Sequence, residues 1–262
     1  MAKPYLGSFD WGEHSNGILS GSDKLKVLQL LVKSQLGQAF SRLGQKLGLD
    51  KQNLARLNFD AIKAPDTSFC KAAHMEALTI YSPELMFHCI RTYLFACLFG
   101  QYHNQQPDFE LLYTGCLLHD VGLTSSNQCQ CTSTGFQVVG ARYAYDFAER
   151  HSQLASRRVP LYESISYHLN PFVPFTDQTV EAALLQRGAM LDVIGLNHHQ
   201  LGKQVIQRVN KFAPRDGFTE AIVGSMQNIE HAVGSHAHFL AKLGFEKLAS
   251  TNKIDTMVET YE

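Results

Sequence analysis

From Asp23 onward, apolar residues recur three and four positions apart: Leu25, Leu28, Leu31, Val32, Leu36, Ala39, Phe40, Leu43 and Leu47, until Gly48 supplies a stop. That period predicts one long amphipathic helix. Helical periodicity returns over residues 69–81. Ser82 and Pro83 then provide a cap and a first-turn proline that open a helix running to about Gly100. The same reasoning predicts helices over residues 108–119, 135–151, 160–168, 179–196, 201–212 and 218–243. No run alternates apolar and polar residues between hairpin turns, so the pattern predicts an all-α bundle. Two polar loops interrupt it: residues 125–134, rich in Ser, Thr, Asn, Gln and Cys, and residues 170–177, which carry Pro171 and Pro174. Residues 1–22 show no sustained period and read as an irregular arm whose Tyr5, Phe9 and Trp11 pack onto a single helical domain spanning 23–262.

Composition narrows the class. The chain has 262 residues, 45% hydrophobic and 18% charged, enough to bury a large core and too apolar for disorder. Lys+Arg 23 against Asp+Glu 24 leaves no cationic excess for a phosphate backbone, so no nucleic-acid partner is expected. The longest apolar stretches, such as residues 28–32 and 93–99, fall far short of the roughly 18 residues that span a bilayer, so no membrane partner is expected either. The first residues lack the apolar core of a secretory leader, and six scattered cysteines read as reduced thiols; together they predict a cytoplasmic protein. A homodimer is compatible with such a bundle, though no interface signal stands out. There is no phosphate-binding glycine loop, dinucleotide fingerprint or Gly-x-Ser-x-Gly elbow, which disfavours ATP, NAD and serine-hydrolase chemistry.

The chemistry concentrates in LLYTGCLLHDVGLT, residues 111–124, where an apolar helix ends in His119 and Asp120. A neutral imidazole and a carboxylate side by side can converge on one divalent cation. An isolated pair is equally well a helix-end histidine beside a turn aspartate. Two companions sharpen the picture: His88 in SPELMFHCIRTYLFACLFG and Asp192 in GAMLDVIGL are polar residues within apolar helices. Burying either is costly without a partner, and a shared metal would offset both costs. Taken singly, each also fits a hydrogen-bonded core residue.

The order His88, His119-Asp120, Asp192 on successive helices resembles the H…HD…D signature of the HD-domain superfamily of metal-dependent hydrolases. More narrowly, SPELMFHCIRTYLFACLFG, CLLHDVGLT, FQVVGARYAYDF and ALLQRGAMLDVIGL are similar to the cyanamide hydratase-like branch, over about residues 80–200, with looser echoes in NKFAPRDGF and EHAVGSHAHF. The resemblance implies an HD-type helical bundle with His88, His119, Asp120 and Asp192 as metal ligands. It implies zinc in the hydratase branch, and Mn, Co, Ni, Mg or Fe in phosphohydrolase branches. The implied activity is hydrolysis or hydration of a small polar molecule by a water that the metal makes acidic, with Asp120 orienting the water. The alternatives are an HD-type nucleotide or sugar phosphohydrolase, a di-iron oxygenase and a non-catalytic regulatory module.

Other residues attach to this reading. His168, in ESISYHLNPF, sits where related proteins often place a histidine near the site, and an imidazole there could move a proton near neutrality. Arg91 and Thr92 follow His88 by about one turn and are candidates for holding substrate, as are Gln137 and His236. The family's FEVDGA block reads FQVVGA here, with Gln137 and Val139 at the acidic positions. That block also offers no further imidazole, which favours one metal over two. Cys129 and Cys131 lack companions for a thiolate site and read as incidental thiols. Two further histidine groups, His198-His199 and His231 with His238, are assigned to capping or hydrogen bonding rather than to a second metal.

Overall fold

The computed structural model describes residues 4–176 and 179–257, so Asp177 at the end of the second predicted loop and the last five residues of the predicted domain lie outside it. Among the described residues the chain is helical with no strand; a lone antiparallel bridge joins Ile18 and Ser235. The helices are α1 (Phe9–Ser15), α2 (Gly21–Lys46), the single turn α3 (Lys51–Leu54), α4 (Ser68–Ile80), α5 (Pro83–His103), α6 (Phe109–Leu118), α7 (Phe136–Arg150) and α8 (Ala155–Ser166). They are followed by α9 (Val180–Ile194), the single turn α10 (His198–Leu201), α11 (Lys203–Phe212), α12 (Phe218–Asn228), α13 (His236–Lys242) and α14 (Phe245–Ser250). The all-α architecture is the one the periodicity predicts.

The helix α5 is the spine. Pro83 sits in its first turn, where the missing N–H costs nothing, and Asn104 ends it in the left-handed region at φ 53°. Between them Phe95, Leu98 and Phe99 are fully buried, since α5 is apolar all round and has neighbours on every side. Its most extensive partner is α9. Gly188 makes that approach close: a β-carbon there would lie 2.3 Å from the Thr92 carbonyl oxygen of α5. Four residues further along α9, Asp192 is thereby brought to the side of His88. Gly140 plays the same part for α7, where a β-carbon would lie 2.8 Å from the His119 carbonyl oxygen.

Three predicted elements differ from the structure. The N-terminal arm is not irregular throughout: Ser8 caps α1 by accepting from the Trp11 N–H, and Trp11 is buried. The helix expected from Pro160 begins at Ala155, with Pro160 inside it; Arg157 pairs with Asp108 and Glu110, and Arg158 with Glu149, fixing its first turn. The single helix expected over 218–243 is broken, because Ile229 is extended, Gly234 takes φ +84° and Ser235 caps a new helix by accepting from the His238 N–H.

Helix α2 forms where predicted but faces an unexpected way. A surface helix ordinarily turns its apolar stripe toward the core. Here Val27, Leu30, Ser34 and Asp23 are buried, while Leu25, Leu28, Val32, Leu36, Phe40, Leu43 and Leu47 face outward, each 42–71% exposed. Polar contacts tie its second half to the body. The Gln45 side chain donates to the His199 carbonyl at 2.9 Å, and Ser41 meets His199 and Gln200 at 2.9 and 2.8 Å.

Candidate metal centre

Two helices deliver the site. His88 comes from the first turns of α5, His119 and Asp120 from the end of α6, and all three residues are buried. His119 Nδ1 lies 2.8 Å from the carbonyl oxygen of Cys116, one turn back, which places the proton on Nδ1 and leaves the Nε2 lone pair facing inward. His88 is set in the same sense by Asp192, whose Oδ2 lies 2.7 Å from His88 Nδ1. The two Nε2 atoms then stand 3.1 Å apart, with Asp120 Oδ2 at 3.3 Å from each.

Two imidazole lone pairs and a carboxylate oxygen at this separation repel one another unless a cation lies among them. A proton on His88 or a divalent ion would satisfy the arrangement. Two nitrogens and one oxygen suit zinc or a neighbouring first-row ion. His88, His119 and Asp120 form the one cluster of ligand-type groups close enough to share an ion among the described residues.

The electrostatics follow the same geometry. Burial would raise the Asp120 carboxyl, but the imidazoles of His119, His88 and His168 outweigh it and hold the group well below the usual carboxylate range. Burial pushes His119 down to about 4, so its ring is neutral and able to ligate at neutral pH. Burial also disfavours charge on His88, yet its bonds to Asp120 and Asp192 raise it overall. Against the cost of burial, Arg215 and Arg91 hold Asp192 ionised far below its ordinary range.

Asp192, predicted as a fourth ligand, is placed beside the trio. Its Oδ1 accepts from Arg91 Nε at 2.8 Å and from Arg215, and its Oδ2 accepts from Arg91 at 3.0 Å as well as facing His88. In this arrangement it orients His88 as an outer carboxylate does for a metal-bound histidine. Arg91, predicted to face substrate, is turned away from the pocket. Beyond Asp192 it donates to the carbonyl oxygens of Ala213 and Pro214, and its guanidinium lies 4.7 Å from the Phe218 ring. Phe218 in turn stacks on His88 with ring centroids 4.7 Å apart.

The cavity over the cluster is lined by His88, His119, Asp120 and His168, with apolar walls that include Leu123, Phe136, Met190, Val193, Ile222 and Phe245. His168 is thus where the sequence places it. Its Nδ1 lies 2.6 Å from the Ile165 carbonyl oxygen, and its Nε2 lies 3.8 Å from Asp120 Oδ1 on the cavity side. Burial pushes its pKa down.

Thr92, Gln137 and His236, the other proposed substrate residues, are buried but are not on the cavity wall. Both amide atoms of Gln137 and both ring nitrogens of His236 lack hydrogen-bond partners among the described residues. His236 is close enough to His168 for that imidazole, after burial, to help lower its pKa to about 3. Val139 is buried and brings no charge. His198, His199, His231 and His238 form hydrogen bonds away from the centre, and Cys129 and Cys131 form no disulfide.

Arg215 is the functional residue that the sequence did not single out. It bridges Asp192 to Asp255, and Asn252 donates to the Asp192 carbonyl at 2.8 Å, so residues near the C-terminus brace the centre. The signal was present in the NKFAPRDGF echo but gave no partner for the arginine. No curated protein matches the chain. Residues 86–192 match the family model of the HD domain, a segment that opens two residues before His88 and closes on Asp192, and this match supports the HD superfamily for the part of the chain that carries the centre.

Proposed function

We propose that this protein is a metal-dependent hydrolase or hydratase of the HD type, holding one divalent ion on His88, His119 and Asp120. The observation that carries the reading is the convergence of three acceptor atoms 3.1–3.3 Å apart in a buried site. The ion would supply Lewis acidity and lower the pKa of a coordinated water toward neutrality. Zinc is the first choice for this donor set, with iron, manganese, cobalt and nickel as alternatives.

The chain's own residues would do the rest. Asp120 presents its second oxygen, Oδ1, to the cavity and would orient the attacking water by accepting a hydrogen bond from it. His168 Nε2, 3.8 Å from that oxygen, would take the proton up and return it to the leaving or product atom. The apolar walls exclude bulk water and strengthen these interactions.

The walls also shape the substrate. A cavity of about 30 Å³ whose polar groups are confined to the metal cluster and His168 suits a small, compact polar group. A phosphoester is less well matched: no Lys or Arg among the described residues lines the cavity, and Arg91 is held by Asp192 and two carbonyls through its Nε and Nη1. The di-iron alternative lacks a second imidazole cluster among the described residues.

The test is a panel of nitriles, amides and phosphoesters assayed with protein loaded in turn with Zn, Mn, Co, Ni and Fe, beside Asp120→Ala. Turnover of a nitrile or amide that the variant abolishes supports the reading. Turnover that the variant leaves unchanged, or that appears only with phosphoesters, contradicts it.

A further inference from the structure

The outward face of α2 is a feature that the metal centre does not explain. The helix has 26 residues and is about 39 Å long at a rise of about 1.5 Å per residue. At about 100° per residue, Leu28 and Phe40 mark the edges of an exposed arc roughly 120° wide, opposite the buried Val27 and Leu30. The stripe stays on one side of α2 along its whole length, so it presents a continuous apolar strip.

Charge flanks that strip on both sides. Lys26 and Lys33 stand along one margin, and Lys24, Arg42 and Lys46 along the other. None of the five pairs with a carboxylate among the described residues; Lys26 lies 5.8 Å from the Tyr5 ring and Lys33 4.5 Å from that of Phe172. The one acid of α2, Asp23, is buried at its N-terminus. Cations flanking an apolar face, with no acid among them, complement an anionic interface. A second copy laid on the same strip would instead bring two sets of cations together with no carboxylate on either face.

We infer that α2 docks this protein on an anionic phospholipid surface, the strip from Leu25 to Leu47 entering the boundary between headgroups and acyl chains while the flanking Lys and Arg side chains reach the lipid phosphates. No described helix is long and apolar enough to cross a membrane, so this is attachment in the plane of the surface. The expectation of no membrane partner rested on the lack of a spanning stretch, and the orientation of α2 revises it. The inference does not depend on the chemistry proposed for the metal centre.

The experiment is co-sedimentation of the full chain with vesicles of phosphatidylcholine alone and of phosphatidylcholine mixed equally with phosphatidylglycerol, at low and high salt. Leu36→Glu/Phe40→Glu serves as the variant, since both positions are more than half exposed and carry no core contact to lose. Circular dichroism and metal content establish that it folds, and Lys26→Gln/Lys33→Gln/Lys46→Gln provides an independent variant. The expected result is binding at least about tenfold stronger to anionic than to neutral vesicles, weakened by salt and lost in the apolar variant. Absence of anionic-vesicle binding overturns the inference, as does binding indifferent to lipid charge. A dimer in light scattering that Leu36→Glu/Phe40→Glu converts to monomer, without vesicle binding, assigns the strip to a second copy and overturns it too.

Discussion

At the scale of single residues, the centre depends on tautomers fixed by neighbours. His119 and His168 each face a carbonyl oxygen three residues back through Nδ1, at 2.8 and 2.6 Å, so both expose Nε2 to the cavity. Asp192 does the same for His88 while being clamped by two arginines. Asp192→Asn should therefore leave the buried Arg91 without its counter-charge, Arg215 keeping Asp255, and cost about 3–5 kcal/mol in urea unfolding, the usual penalty for breaking a buried pair. A loss under about 1 kcal/mol would show that the arginines find other partners. His168→Ala should keep the ion and lower turnover by about 10²–10⁴-fold. Equal loss of ion and activity would make His168 a ligand instead. His88, His119, Asp120 and Asp192 were legible in the sequence because each is a polar residue in an apolar helix. Arg91 and Arg215 were not, since an arginine's reach lets it serve a carboxylate or a ligand from the same position.

At the scale of elements, close helix packing sets the register of the centre. Gly188→Ala would push α9 away from the Thr92 carbonyl and should destabilise the fold by about 1–3 kcal/mol, read as a lower urea midpoint with an unchanged slope. An unchanged midpoint would mean that α5 and α9 can separate freely. The helices were legible where an apolar run met a clear signal at its end, as Pro83 opens α5. They were misread where a local break left the period intact: Ile229 to Ser235 keeps apolar residues at helical spacing, yet Gly234 and the Ser235 cap divide the run. In α2 the period located the stripe but not the side on which the body would lie, because Val27, Leu30 and Leu31 offer a second apolar face.

At the scale of the whole molecule, burial of neutral histidines ties stability to pH. Burial holds His103 and His199 at about 4 and His236 at about 3, against an ordinary value of 6.5. The unfolded chain therefore binds more protons than the folded one between these limits. The stability from keeping these rings neutral is fully present above about pH 6.5 and declines as the pH falls through 4. The melting temperature should drop steadily from pH 7 to pH 4, and His103→Gln should flatten part of that slope. A melting temperature independent of pH over this range would contradict the burial of these groups.

The central claim is that His88, His119 and Asp120 share one divalent ion. Elemental mass spectrometry of the purified chain beside Asp120→Ala and His119→Ala tests it most directly. The expected result is about one zinc or other first-row ion per chain, lost in both variants while their circular dichroism remains helical. A chain that carries no ion after incubation with each metal, or that keeps its ion in both variants, would contradict it.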